Sequence, residues 1–327
     1  MLLLSKEDIR QIITMKELIE ADKLAFKMVV DGTVEVPLRT VISGKYDGSF
    51  LFMPAYAPEI DAASVKVVNI FPHNPEQGLA TSPGQIMLID GKTGYVISMM
   101  DGTYVTALRT GAASGAAFDL LARKDCRKGA LFGTGGQAAA QLEAMITARD
   151  LEEVKIYSRN EESRLAFVNQ MSKELASYGV KFTAASDPDE CIDDADLIIT
   201  ATTSPVPVFD GTKVKAGATI SAVGTYEPHK HELDPAILPR ASKIICDFVD
   251  AALAETGDLL IPLADGTIAR EDIKGSLGDV INGTIPGRTC DDEIIVFESV
   301  GVAAQDLVAA KVIYDKAISK GIGLKWE

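Results

Sequence analysis

Positive charge is scarce in this chain of 327 residues, where 32 lysines and arginines stand against 47 aspartates and glutamates, for a formal net charge of −15. Such a balance repels phosphate backbones and anionic lipid surfaces, so neither nucleic acid nor membrane is expected as a partner. Any anionic ligand must then be held by a local gathering of cations. Cysteine is sparse as well: Cys126, Cys191, Cys246 and Cys290 lie far apart with no Cys-x-x-Cys pair, which favours reduced thiols over a disulfide framework or a zinc site. There are three histidines, and a two-histidine site at His229 and His231 with no cysteine nearby is the less expected reading, so no metal is expected. No apolar run approaches the length of a membrane span, and the opening Met1-Leu2-Leu3-Leu4 is too short for a signal core. A cytoplasmic location follows as the expectation.

What is present begins with length. A chain of this size exceeds one ordinary core and implies two domains. Ser5-x-x-Asp8 and Thr14-x-x-Glu17 are capping-box signals that start two successive helices, the second ending at Asp31-Gly32. Short apolar or alternating runs at 36–43, 49–54, 63–71, 85–90 and 95–101, punctuated by Gly, Pro and Asp, predict a mostly antiparallel sheet. Helix returns over 103–121. Beyond it, strands at 154–157, 181–184, 197–200, 219–223 and 243–247 alternate with helical stretches, the order of a parallel doubly wound sheet. A long Ala-rich helix is predicted over 299–319.

The second domain opens on Gly133-Thr134-Gly135-Gly136-Gln137-Ala138, directly after the apolar run 129–132. In a strand-turn-helix unit the first glycine makes the tight turn, the second lets a pyrophosphate approach the backbone, and a small residue in Ala138's place lets helix pack on strand. The phosphates then sit on the helix N-terminus. After the next strand, where an acid would meet the adenosine ribose, the chain has Ser158-Arg159-Asn160, with Arg164 about a turn further on. A guanidinium with hydroxyl and amide neighbours suits a 2′-phosphate, so NADP(H) is expected in preference to NAD(H). Arg159 also reads as a solvated helix-start residue. Ala201-Thr202-Thr203 and Val223-Gly224 follow two later strands at the carboxyl edge, where such sheets bind ligands, and are expected to contact nicotinamide and ribose or simply to make turns.

Three cations sit in weakly charged surroundings. Lys66 interrupts the apolar strand Val65-Lys66-Val67-Val68, Arg39 lies in Val36–Val41, and Arg109 breaks a helix of small residues. Singly, Lys66 reads as an edge-strand lysine that discourages aggregation. Together, the three suggest a pocket for a carboxylate, with a lysine whose proton is loosened by burial beside other cations and which can act as acid or base.

The runs Lys66-Val67-Val68-Asn69, Gly78-Leu79-Ala80-Thr81 and Asp101–Thr110, the glycine loop with Gln137, Val223-Gly224 with Glu232-Leu233-Asp234, and Ser299-Val300-Gly301 with Gln305-Asp306 resemble the ornithine cyclodeaminase/mu-crystallin family over nearly the whole chain. The resemblance implies a doubly wound parallel Rossmann sheet over 113–303, inserted into a discontinuous α+β substrate and dimerisation domain made of 1–112 and 304–327. It implies a homodimer, a nicotinamide cofactor, and chemistry at the Cα of an L-amino acid or its imine. Arg39, Lys66 and Arg109 fall on the family's substrate-carboxylate positions. Thr81, Thr110, Gln137, Lys230 and Ser299 fall on cofactor-contact positions, to which Arg109 also contributes, and Val300 lies beside the substrate. Where the cyclodeaminase branch has acids, this chain has Tyr226 after Gly224 and Leu51 before Met53-Pro54. A tyrosine of pKa near 10 is a poor general base at neutral pH and a leucine cannot hold an ammonium. The expectation is a reductase of a cyclic ketimine such as pyrroline- or piperideine-2-carboxylate, with Met53 and Tyr226 lining the side-chain pocket. The alternatives are ornithine cyclodeaminase, alanine or another L-amino-acid dehydrogenase, and a non-catalytic NADPH-dependent binding protein.

Overall fold

A computed structural model describes residues 1–327. In chain order the elements are β1 (Leu2–Leu4), α1 (Lys6–Ile12), α2 (Met15–Asp31), β2 (Thr40–Ser43), β3 (Ser49–Ala57), β4 (Ala62–Ile70), β5 (Gly84–Asp90), β6 (Val96–Asp101) and α3 (Gly102–Leu121). Then come β7 (Lys128–Phe132), α4 (Ala138–Ala148), β8 (Glu153–Tyr157), α5 (Glu161–Glu174), β9 (Lys181–Ala184), α6 (Pro188–Ile192), β10 (Leu197–Thr200), β11 (Thr219–Ala222) and β12 (Lys243–Cys246). The chain closes with α7 (Val249–Glu255), α8 (Gly257–Asp265), β13 (Ile273–Ser276), α9 (Leu277–Ile281), β14 (Ile295–Glu298), α10 (Ala303–Lys320) and β15 (Leu324–Lys325).

Two compact units result: Met1–Arg109 with Gly301–Glu327, and Thr110–Val300. Both crossings lie slightly before the expected boundaries at 112/113 and 303/304, the first of them inside α3.

In the first unit a sheet runs β15-β1-β6-β5-β4-β3-β2, antiparallel except for the β1–β6 pair. Strands β3 and β4 alternate buried and less buried positions, so one face is apolar, and α10 packs on that face and against α2. Both predicted capping boxes form, at Ser5 and Thr14, and Gly32 closes α2 with φ +68°. The predicted terminal helix starts four positions later than expected, at Ala303 rather than 299, because Gly301 takes φ +77° and Ser299–Val302 is irregular. β1 and β15 were not foreseen in so short a pair of runs.

The second unit is an all-parallel sheet, β13-β12-β14-β11-β10-β7-β8-β9. Its strands are near-continuous apolar runs because both faces are covered: Ala130, Phe132, Ile198 and Ile220 enter one core, Leu131, Ile156, Leu197 and Ile199 the other. Strand order reverses between β7 and β10, the switch point at which such sheets bind ligands. β13 and β14 add to the predicted strands. Small residues let helices approach closely: a Cβ on Gly111 of α3 would stand 2.5 Å from the Ala140 carbonyl oxygen of α4. No helix is long and apolar enough to cross a membrane.

Candidate active site

In β4 the alternation turns Lys66 onto the covered face, and its register partners are Met53 on β3 and Ile86 on β5. β4 lies inside the sheet, so Lys66 is not an edge lysine; it is only 1% exposed. Its Nζ lies 2.7 Å from Oδ2 of Asp306, in the first turn of α10. Asp306 is fully buried, and its Oδ1 accepts a bond from Arg109 Nε at 3.1 Å. Arg109 Nη1 donates to Gln305 Oε1 at 3.2 Å, while Gln305 Nε2 donates to Asp22 Oδ2 at 2.8 Å. Arg39 reaches the same corner, donating from Nη2 to the Gly301 carbonyl at 2.8 Å. A Cβ on Gly301 would stand 2.3 Å from Arg109 Nη1, so this glycine serves both its positive φ and the seat of the arginine.

Three cations that are distant in sequence therefore meet in one unit. Burial lowers the Lys66 pKa to about 7, helped by Arg109 and Arg39 and opposed by Asp306. The sequence pointed to burial beside other cations as the cause, and desolvation is the larger of the two. A lysine so poised can hand over or take up a proton near neutrality, beside guanidinium groups suited to a carboxylate. Met53 and Leu51 are buried on the same face of the sheet and offer no acid to a distal ammonium.

In the second unit Gly133 follows β7 with φ +111°, and a Cβ there would strike the Ala201 carbonyl oxygen at 2.4 Å. Gly135 and Gly136 would meet nothing, and Gln137 precedes the buried Ala138 at the start of α4. Bare backbone at a helix N-terminus is what a dinucleotide's pyrophosphate needs, so the loop fits a nicotinamide cofactor. At the carboxyl edge Thr202 N donates to Glu232 Oε1 at 2.7 Å, and a Cβ on Gly224 would lie 2.0 Å from Glu232 Oε2. Burial pushes Glu232 up to about 8. Thr203 and Val223 lie in the same two loops, and Ser299 donates to Asp247 at 2.8 Å just beyond β14.

At the ribose end Arg164 is buried, donates from Nη1 to the Ser158 carbonyl at 2.6 Å and lies over the Tyr157 ring, so it braces the loop after β8. Asn160 caps α5 through Ser163 N, and the Ser158 hydroxyl donates to the Asn160 carbonyl. Arg159 is exposed at the end of β8. Lys230 is ion-paired to Glu227 at 2.6 Å. Thr81 is exposed and belongs to the first unit, and Thr110 and Val300 are the residues at which the second unit begins and ends. Tyr226 is half-buried in the loop after β11.

The profile of the ornithine cyclodeaminase/mu-crystallin family matches residues 1–321. The chain belongs to that family. It is 36% identical to a Delta(1)-pyrroline-2-carboxylate reductase of Bacillus cereus over 328 residues, covering 100% of both chains. Among solved structures, that of Thermococcus litoralis Delta(1)-pyrroline-2-carboxylate reductase in complex with NADH and L-proline aligns with TM-score 0.95 and 37% identity over 100% of both chains. An archaeal alanine dehydrogenase dimer with bound NAD aligns with TM-score 0.91 and 35% identity, over 100% of this chain and 98% of that one. The family fold expected from the sequence, a parallel Rossmann sheet with a second domain, is the fold found.

Asp22 was not singled out in the sequence, and Glu232 and Gln305-Asp306 stood there only as parts of motifs. The one signal for Asp306 was an acid in an otherwise Ala- and Val-rich helix start. Nothing in the sequence tied it to Lys66.

Proposed function

We propose that this family member is a nicotinamide-dependent oxidoreductase that interconverts an L-α-amino acid with its imine, acting chiefly as reductase of a cyclic ketimine such as pyrroline- or piperideine-2-carboxylate. The pyrroline-2-carboxylate reductases named above support this reading. The observation that carries the assignment is the buried Lys66 set against the same carboxylate as Arg109, with Arg39 close by. Arg109 Nη2 has no protein partner, and with Arg39 it would clamp the substrate carboxylate. The Lys66 ammonium would give its proton to the imine nitrogen. Met53 and Leu51 would face the apolar ring, and Val300 and Tyr226 are further candidates for lining it. When bound, the reduced nicotinamide supplies a hydride. Gly133, Gly135, Gly136, Gln137 and Ala138 would cradle its pyrophosphate, with Ala201, Thr202, Thr203, Val223, Gly224, Thr110, Thr81, Lys230 and Ser299 as further contacts.

NADPH is the favoured reductant, with NADH as the weaker one. Exposed Arg159 after β8, with no acid at Ser158 or Asn160, supports that preference. The protein would act as a homodimer, a reading supported by the archaeal alanine dehydrogenase dimer, with the exposed apolar side chains of Leu38, Val41 and Ile42 at the β2 edge available for association.

The test is NADPH oxidation by purified protein against a panel of cyclic ketimines, with Lys66→Ala and Arg109→Ala alongside. Turnover should fall by at least about 100-fold in each variant, while both still bind NADPH. Full turnover in variants that fold and bind cofactor would overturn the mechanism. Ammonia and proline appearing from ornithine without net cofactor consumption would point to cyclodeamination instead.

A further inference from the structure

Resting on the reductase reading, we propose that Asp306 is the positioning residue of this site: a single buried carboxylate that holds the Lys66 ammonium on one oxygen and the Arg109 guanidinium on the other, fixing proton donor and carboxylate clamp relative to each other and keeping the donor charged. The two contacts use different oxygens, an ion pair from Lys66 Nζ to Oδ2 at 2.7 Å and a hydrogen bond from Arg109 Nε to Oδ1 at 3.1 Å. Rotation of the Asp306 side chain would therefore break both. The cations come from different elements, β4 and α3, while the carboxylate comes from the first turn of α10, where the helix dipole favours an anion. A carboxylate with no exposed surface is tolerated only when its charge is matched, so Asp306 is no loosely solvated counterion.

Its neighbour holds the other end of the arginine. Gln305 Oε1 accepts from both Arg109 Nη1 and Val302 N, and Nε2 reaches Asp22 on α2. Arg109 is thereby fixed through Nε and Nη1, which leaves Nη2 for a substrate. The charged groups facing Lys66 are Arg109 on α3, Arg39 from the segment before β2, and Asp306 on α10, with Asp22 on α2 acting through Gln305. Asp306 is the member of this set that favours the protonated lysine; the two arginines and burial oppose it.

In imine reduction the carbon receives the hydride while the nitrogen takes the Lys66 proton, which leaves a neutral lysine to be reprotonated from water. Removing the Asp306 charge should drain the donor of protons at lower pH. The experiment follows the Cε resonance of Lys66 by NMR in 13C-lysine-labelled protein, assigned with Lys66→Arg, and the pH profile of kcat/KM for ketimine reduction. In Asp306→Asn the Lys66 titration and the alkaline limb of the profile should both move down by about one unit or more, an effect of roughly tenfold in the charged fraction above that point. Rate should return partly toward pH 6 and KM should rise through loss of the arginine seat. Asp306→Glu, which keeps the charge, should leave the limb in place and lower kcat.

A uniform loss of rate with an unmoved Lys66 titration would make Asp306 a packing residue and overturn the proposal. Should Asp306→Asn fail to fold, a limb displaced downward in Asp306→Glu would overturn it equally. The NMR titration needs no turnover. A protein inactive on ketimines but with Lys66 shifted by Asp306→Asn would sink the reductase reading and leave the pairing standing.

Discussion

At the residue scale the chemistry turns on taking a lysine out of water without letting it lose its partners. Lys66 was visible in the sequence as a charge out of place in an apolar strand, and so was Arg109 in a helix of small residues. Their common carboxylate was not, because Asp306 lies 240 positions from Lys66 and only packing of α10 on the sheet brings them together. Gly301 is a comparable case. Its positive φ and its contact with Arg109 Nη1 leave no room for a methyl group, so Gly301→Ala should both strain the turn by about 1–3 kcal/mol and displace the guanidinium. The expected outcome is a lower melting temperature with KM for the ketimine raised about tenfold or more; an unchanged KM would show that Arg109 does not bind substrate. Arg159→Ala tests the other end of the reaction. Affinity for NADPH, measured by fluorescence titration, should fall about tenfold or more, and affinity for NADH should barely change; equal losses would remove the 2′-phosphate assignment.

At the scale of elements, the glycine loop was legible because its context, an apolar run before and an Ala-rich helix after, is contiguous in the chain. The carboxyl edge of the second sheet was less so. There Glu232, Asp258 and Glu298 are all buried, and burial raises all three, Glu232 to about 8 and Asp258 to about 6. An acid whose folded pKa lies above its unfolded value contributes stability below the unfolded pKa and loses that contribution as pH rises through the folded one. For Glu232 the window runs from its ordinary value near 4.5 up to about 8. Glu232→Gln keeps an acceptor for Thr202 N and cannot ionise. Its melting temperature relative to the native protein should therefore climb steadily between pH 5 and 9, as followed by circular dichroism without cofactor. A difference independent of pH would show that Glu232 is ionised in the fold throughout. Arg164 shows what spacing leaves out: its position in sequence suits a phosphate, but its packing on Tyr157 and its bond to the Ser158 carbonyl are set by the fold.

For the whole molecule, the discontinuous first unit depends on α10 returning to cover the sheet begun by β1 to β6. That sheet ends in β2, whose four residues are all exposed and include Val41 and Ile42 at 54% and 52%. An apolar edge of this kind is an aggregation hazard in a monomer and is ordinarily covered. Sedimentation equilibrium should report a dimer, and Val41→Lys with Ile42→Lys should shift it toward monomer; a monomeric native protein would refute the homodimer. The net charge of −15 sets the sign of the long-range field, yet it says nothing of where the cations that matter are gathered.

Periodicity, capping residues and the glycine turn by themselves determined the two kinds of sheet, the helices that begin each half, and the dinucleotide-binding character of the second unit, since all of these are written in residues close together along the chain. Only the tertiary structure decided that Lys66 is interior rather than at an edge, that Arg164 is buried against Tyr157, and that Lys66 and Arg109 share Asp306. Electrostatic partnership is a matter of distance and desolvation, and neither is set until remote segments pack.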